Sequence, residues 1–132
     1  MVVGLLLVSV VDNDESVRES LLDLLRQLGY ATQVFSSGEE SLASDWVSET
    51  RCLILDIALP GMSGPDLQQE LTRRGHKIPI IFITALADET VRQGLLSLGA
   101  VACLFKPFSE AALLEALDAA LPVDRPNTTL EG

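Results

Sequence analysis

Charged and polar side chains capable of chemistry stand where apolar runs of this chain stop. Asp12, Asn13 and Asp14 follow VVGLLLVSVV, Asp56 closes the run CLIL before breaking into IALPGMSG, Thr84 ends IFIT, and Lys106 follows ACLF. A carboxylate at the end of a buried run is costly to desolvate, so Asp56 needs compensation by water at a strand end, by a cation, or by a chemical use of the charge. Which of these applies depends on the elements that hold the other polar groups.

Apolar β-type runs are read at Val2 to Val11, Ala31 to Phe35, Cys52 to Leu55, Ile78 to Thr84 and Val101 to Phe105, with helical patterns between them. In the first helical stretch Val17, Leu21, Leu24, Leu25 and Leu28 share a stripe, Ser16 and Glu19 fit a capping box, and Gly29 supplies the stop. Ser37 with Glu40 makes a second possible box. Pro65 suits a helix start before DLQQELTRR, the helix over DETVRQGLLSLG ends at Gly99, and Ser109 precedes EAALLEALDAAL. Strands without strict alternation, each followed by a helix, predict an α/β fold: a doubly wound parallel sheet covered on both faces, with right-handed crossovers. Such sheets bind ligands beyond the carboxyl ends of their strands, at a topological switch point. Asp12 to Asp14, Asp56, Thr84 and Lys106 all fall at those ends.

The totals narrow the function. A chain of 132 residues is one domain by length. It is 48% hydrophobic, yet no run reaches the roughly 18 to 20 apolar residues of a membrane helix, and the opening run lacks a basic leader. A net charge of −10 and a pI near 4.3 argue against direct contact with nucleic acid, which relies on clustered Lys and Arg, and suit a cation site or a basic partner. Cys52 and Cys103 sit in apolar stretches and read as reduced core thiols of a cytoplasmic protein; no Cys/His cluster suggests zinc. The domain is expected over residues 1–121. PVDRPNTTLEG, residues 122–132, reads as a linker or frayed end, expected to be cut before an output domain, though a short natural terminus fits the letters equally.

Taken in order, VVDNDESVRES, LILDIALPGMSG, IFITA and FKPF resemble the receiver domains of two-component response regulators, over about Val3 to Leu121. VDNDESVRES and PGMSGPDLQ look most like receivers joined to a DNA-binding module of the LuxR type. The resemblance implies a flavodoxin-like, CheY-like fold with five parallel strands in the order 2-1-3-4-5. It implies a phosphoacceptor signalling domain rather than an enzyme, one that assists its own phosphotransfer and dephosphorylation. Asp56 would accept the phosphoryl group from a phosphohistidine of a sensor histidine kinase, with Lys106 pairing with the phosphoryl oxygens and Thr84 hydrogen-bonding them. Mg²⁺ would be held by Asp56, the carbonyl of Ala58, Asn13 and, partly through water, Asp12. The Lys106–Pro107 bond would be cis. The physics agrees: a carboxylate attacking phosphorus works against oxygens already negative, and a divalent cation and fixed positive donors offset that repulsion.

Two positions depart from the family pattern. Receivers have two adjacent acids after the first strand, and here Asn13 stands in place of the ligating acid, so weaker Mg²⁺ binding and slower phosphotransfer are expected. Asp14 more naturally heads the first helix than replaces the missing acid. Where receivers carry Tyr or Phe three residues before the lysine, this chain has Cys103, and the aromatic switch is read as absent rather than moved to Phe105 or Phe108. The last helix shows a stripe of Leu113, Leu114, Leu117 and Leu121, with Ala111, Ala112, Ala116 and Ala119 on its other surface. From these small residues a homodimer through the fourth helix, fifth strand and fifth helix is expected. His76, in RRGHK, reads as solvated, and Trp46 as packing near the end of the second helix. Two alternatives remain: a pseudo-receiver signalling without phosphate, favoured by Asn13 and Cys103, and a flavodoxin-like binder or small phosphatase on the same sheet order.

Overall fold

In the computed structural model, which describes residues 5–121, parallel strands β1 (Leu7–Val11), β2 (Ala31–Phe35), β3 (Cys52–Asp56), β4 (Ile80–Thr84) and β5 (Ala102–Phe105) form one sheet in the order β2-β1-β3-β4-β5. Helices α1 (Glu15–Gln27), α2 (Gly38–Ala43), α3 (Gly64–Arg73) and α4 (Glu89–Ser97) make the crossovers, and with α5 (Glu110–Ala120), which follows β5, they cover both faces. The doubly wound parallel fold read from the sequence is the one observed. The expected tail at 122–132 and the first four residues lie outside the described residues.

Strand alternation divides the core in two. Val8, Val10, Cys52, Ile54, Ile81 and Ile83 face α1 and α5, packing on Leu21, Leu25, Leu113 and Leu117. Val11, Leu53, Leu55, Phe82 and Cys103 face the other way, onto Leu67, Leu71 and Leu95. β1, β3 and β4 are buried at every position, as expected of central strands covered on both sides. Cys52 and Cys103 are free thiols in opposite halves of this core, and burial pushes the Cys52 thiol up to about 12.

Several local readings need correction. β1 starts at Leu7 rather than Val2, where pairing with Ala31 begins, and β4 starts at Ile80, after Pro79, whose nitrogen cannot donate to a ladder. Helix α1 starts two residues earlier than the Ser16–Glu19 box implies: Asp14 is the N-cap and accepts from the Ser16 N–H at 2.8 Å. At α2 Ser37 caps the Glu40 N–H, but the Glu40 carboxylate reaches back to Ser36 N–H rather than closing the box on Ser37. The complete capping box is at α3, between Ser63 and Asp66. Ala116, expected on the outer surface of α5, is buried, while Leu114 is half-buried. Gly29 and Gly99 end their helices with φ of +97° and +106°, as read.

Candidate functional site

The carboxyl ends of β1, β3, β4 and β5 bring together the side chains singled out in the sequence. Asp12, just after β1, has no solvent exposure and is held at every polar atom. Its N–H donates to Phe35 C=O at 3.1 Å, its carbonyl accepts from Arg18 Nη1 at 2.8 Å, Oδ1 accepts from Asp14 N–H at 2.8 Å, and Oδ2 accepts from Lys106 Nζ at 2.8 Å. Asp56, the last residue of β3, is buried and more loosely held: Oδ1 accepts from Ala58 N–H at 3.2 Å and Oδ2 lies 3.5 Å from Lys106 Nζ. Thr84, the last residue of β4, is buried, and its hydroxyl oxygen accepts from Leu86 N–H at 3.0 Å. Lys106 follows β5, its N–H donates to Thr84 C=O at 2.7 Å, and its peptide bond to Pro107 is cis.

The electrostatics follow from this packing. Burial and then the neighbouring Asp12 charge push the Asp56 carboxyl above its ordinary range, against the opposing pull of the Ala58 N–H and Lys106. Burial tends to discharge Lys106, but the hydrogen bond and charge of Asp12, with a further contribution from Asp56, outweigh it and hold the ammonium above the usual lysine value. Lys106 therefore remains a fixed positive charge at the site throughout the neutral range.

Asn13 is exposed beside Asp12, and Ala58 is exposed beside Asp56. Asp14 does not take the place of the missing acid, because its side chain caps α1. Among the described residues no three His, Cys, Asp or Glu side chains cluster in a metal-binding arrangement. The donors that remain are two carboxylates, the Asn13 amide and the Ala58 carbonyl. All are hard oxygens, and they fit a small cation such as Mg²⁺ that retains several waters.

The loop after β3 is shaped by Gly64, where an added Cβ would lie 2.5 Å from the Asp56 carbonyl oxygen, so the start of α3 sits directly on the end of β3. Cys103 is buried, whereas Phe105 is paired in register with Thr84, on the same face of the sheet, under the Arg92 guanidinium at 5.5 Å. Trp46 lies at the opposite edge of the sheet, beside Leu5, Leu6, Leu7 and Ala31, far from these groups. His76 stands in the half-exposed loop before β4. The sequence reading missed Arg18 and Glu39, which bond the Asp12 carbonyl and the Met62 N–H. Neither carries a local signal beyond its charge.

Residues 8–118 match the response regulator receiver domain. Nodulation protein W of Bradyrhizobium diazoefficiens is 44% identical over 119 residues, covering 90% of this chain and 52% of that protein. The response regulator protein TodT of Pseudomonas putida is 41% identical over 112 residues, covering 85% of this chain and 49% of that protein. The chain thus spans about half the length of these curated relatives. Among solved structures, the response regulator StyR superposes with a TM-score of 0.80 at 39% identity, covering 95% of this chain and 63% of that one. The FixJ-N structure gives 0.77 at 33% identity, covering 91% and 94%. No helix among the described residues is long and apolar enough to cross a membrane. With the family model spanning residues 8–118, the relatives and the sheet order in agreement, the chain belongs to the response regulator receiver domain family.

Proposed function

We propose that this domain is a working phosphoreceiver, with Asp56 accepting a phosphoryl group from the phosphohistidine of a sensor histidine kinase. The observation that carries the reading is the division of labour around Lys106. Asp12 is fully buried with a 2.8 Å hydrogen bond on each carboxylate oxygen, while Asp56 faces the same ammonium at 3.5 Å and, among the described residues, has one further bond, at 3.2 Å from Ala58 N–H. A carboxylate with lone pairs to spare can act as a nucleophile.

In the transfer, an Asp56 carboxylate oxygen forms a bond to phosphorus as the phosphorus–nitrogen bond breaks, and the electron pair of that bond leaves on the imidazole nitrogen. Lys106 stabilises the charge on the transferring oxygens, and the Thr84 hydroxyl, at the end of the neighbouring strand, donates to one of them. Mg²⁺, when bound, neutralises charge between the carboxylates and the phosphoryl oxygens. Asp12, Asn13, Asp56 and the Ala58 carbonyl are the residues that would hold it, with Asn13 supplying an oxygen but no charge.

An apolar groove of about 580 Å³ beside Lys106, lined by Val17, Leu21, Leu24, Pro107 and Phe108, offers contact surface to the protein that brings the phosphoryl group. The relatives include transcriptional regulators of whose length this chain covers 52% and 54%, so the domain is read as the input half of such a regulator, acting in the cytoplasm. The phosphorylated state would change the surface of α4, β5 and α5, where a homodimer would form.

Incubation with acetyl phosphate or beryllofluoride, with and without Mg²⁺, tests the assignment by intact mass and amide NMR shifts on wild type and Asp56→Asn. Trp46 is a poor reporter because it lies at the far edge of the sheet. Mg²⁺-dependent modification that disappears in the variant supports the reading. No response at millimolar Mg²⁺ would favour a phosphate-independent interaction module, the alternative that the neutral Asn13 and the buried Cys103 recommend.

A further inference from the structure

We propose that Glu39, on α2, is a positioning residue for this site, its carboxylate clamping the outer half of the loop between β3 and α3 and thereby fixing the Ala58 carbonyl. The inference rests on the reading of Asp56 and Ala58 given above.

The inner half of this loop is tied to the sheet. Ile57 N–H donates to Ile83 C=O, Gly64 N–H donates to Ile57 C=O, and Leu59 is buried in the core. Its outer half, around Gly61 and Met62, carries no backbone hydrogen bond to the sheet among those described, and the Met62 side chain packs against the core from that side. Across 23 positions of sequence, Glu39 Oε2 accepts a hydrogen bond from Met62 N–H at 3.2 Å. The neighbouring Glu40 cannot serve the same purpose, because its carboxylate is spent on Ser36 N–H and hydroxyl at the start of α2.

Two glycines make the approach possible. A Cβ on Gly61, whose φ is +76°, would lie 2.9 Å from Glu39 Oε2, and a Cβ on Gly38 would lie 3.3 Å from Met62 Sδ. The first turn of α2 is therefore seated on the loop, with the carboxylate in the space that a side chain at position 61 would take. Leu59 and Met62 then hold the loop that continues from Ala58, whose own N–H is bound to Asp56. Loss of the Met62 tie would let the segment beyond Leu59 shift and tilt the peptide that carries the Ala58 carbonyl.

The test compares Glu39→Ala and Glu39→Gln with wild type in two measurements. One is hydrogen exchange at the Met62 amide without Mg²⁺. The other is the Mg²⁺ concentration giving half-maximal labelling of Asp56 by acetyl phosphate, recorded with the maximal rate. Loss of a charge-assisted bond is expected to speed Met62 exchange about tenfold in Glu39→Ala and to raise the Mg²⁺ midpoint about threefold to tenfold with the maximal rate unchanged. Glu39→Gln, whose amide oxygen still accepts, should stay within about twofold of wild type. Unchanged exchange and midpoint in Glu39→Ala would overturn the proposal. So would a Glu39→Gln midpoint shifted as far as that of alanine, which would assign the effect to charge alone. If wild type takes no phosphoryl group, the reading of Asp56 fails, while Met62 exchange still decides whether the clamp exists.

Discussion

Replacing Lys106 by methionine keeps most of the side-chain volume and removes the one ammonium that faces both buried carboxylates. Nζ lies 2.8 Å from Asp12 and 3.5 Å from Asp56, whose side chains are 0% and 7% exposed. At an effective dielectric of about 20 these contacts correspond to roughly 6 and 5 kcal/mol of gross attraction. The variant also avoids desolvating the ammonium, so the net loss is smaller. Breaking a buried pair from one side costs about 3–5 kcal/mol, because the surviving charge is left without a partner. With Lys106 itself 20% exposed at the sheet edge, the lower end applies, and a loss of about 3 kcal/mol is expected at pH 7.5. For a domain of this size that lowers Tm by on the order of 10 °C.

The sign of the pH dependence follows from Asp56. Its carboxyl is raised in the fold, so the folded chain binds that proton more tightly than the unfolded chain, and stability from this group falls as pH rises from the ordinary carboxylate value through the raised one. Lys106 is one of the groups holding the rise in check, so Lys106→Met extends the window upward. The stability deficit should therefore be largest near neutral pH and should narrow on acidification. Urea unfolding of wild type, Lys106→Met and Asp12→Asn/Lys106→Met between pH 4.5 and 8 measures this directly. Because the double variant also removes the stranded Asp12 charge, it should recover most of the loss. A deficit below about 1 kcal/mol at pH 7.5, or one independent of pH, would refute the claim that Lys106 compensates buried charge.

Asp56→Asn should raise Tm by about 3 °C near neutral pH, with the gain vanishing as pH falls through the carboxylate range, because it removes a charge that the fold disfavours. Asn13→Asp should tighten Mg²⁺ binding by about tenfold in calorimetric titration while costing the metal-free fold about 1 kcal/mol, since it places a third acid beside Asp12 and Asp56. Gly64→Ala should cost about 2–3 kcal/mol in urea unfolding, because its Cβ would meet the Asp56 carbonyl oxygen at 2.5 Å. Gly94→Ala, in α4 with open space around it, should instead stabilise the domain by about 0.5–1 kcal/mol.

What could be read from the letters, and what could not, divides along the range of the interactions. The strands, the Gly29 and Gly99 stops and the meeting of Asp12, Asp56, Thr84 and Lys106 follow from hydrophobic pattern and the geometry of parallel sheets. The start of α1 was ambiguous because DNDES offers both Asp14 and Ser16 as caps. A tertiary feature decides it: buried Asp12 accepts the Asp14 N–H and sets the turn. Ala116 turns inward because α5 packs against the central sheet over a wider face than its leucines define. Conversely, the Ser63–Asp66 box stands at capping spacing in the sequence itself, with Pro65 inside it as a second start signal. The Glu39–Met62 bond could not be read, since nothing local relates residues 23 apart.

The arrangement also bears on why Asn13 is tolerable. In the metal-free domain Asp12, Asp56 and Lys106 together carry one net negative charge within a largely buried pocket, and burial with Asp12 already pushes the Asp56 carboxyl upward. An aspartate at position 13 would add to that repulsion and draw the lysine among three acids. The neutral amide keeps Lys106 seated on Asp12 at 2.8 Å and leaves Asp56 comparatively unbound. The neutral side chain that, on the proposed reading, weakens the hold on a cation would therefore relieve the metal-free site. On the proposed reading its effect is to move the balance between the metal-free and metal-loaded domain, without removing any group that touches the phosphoryl oxygens.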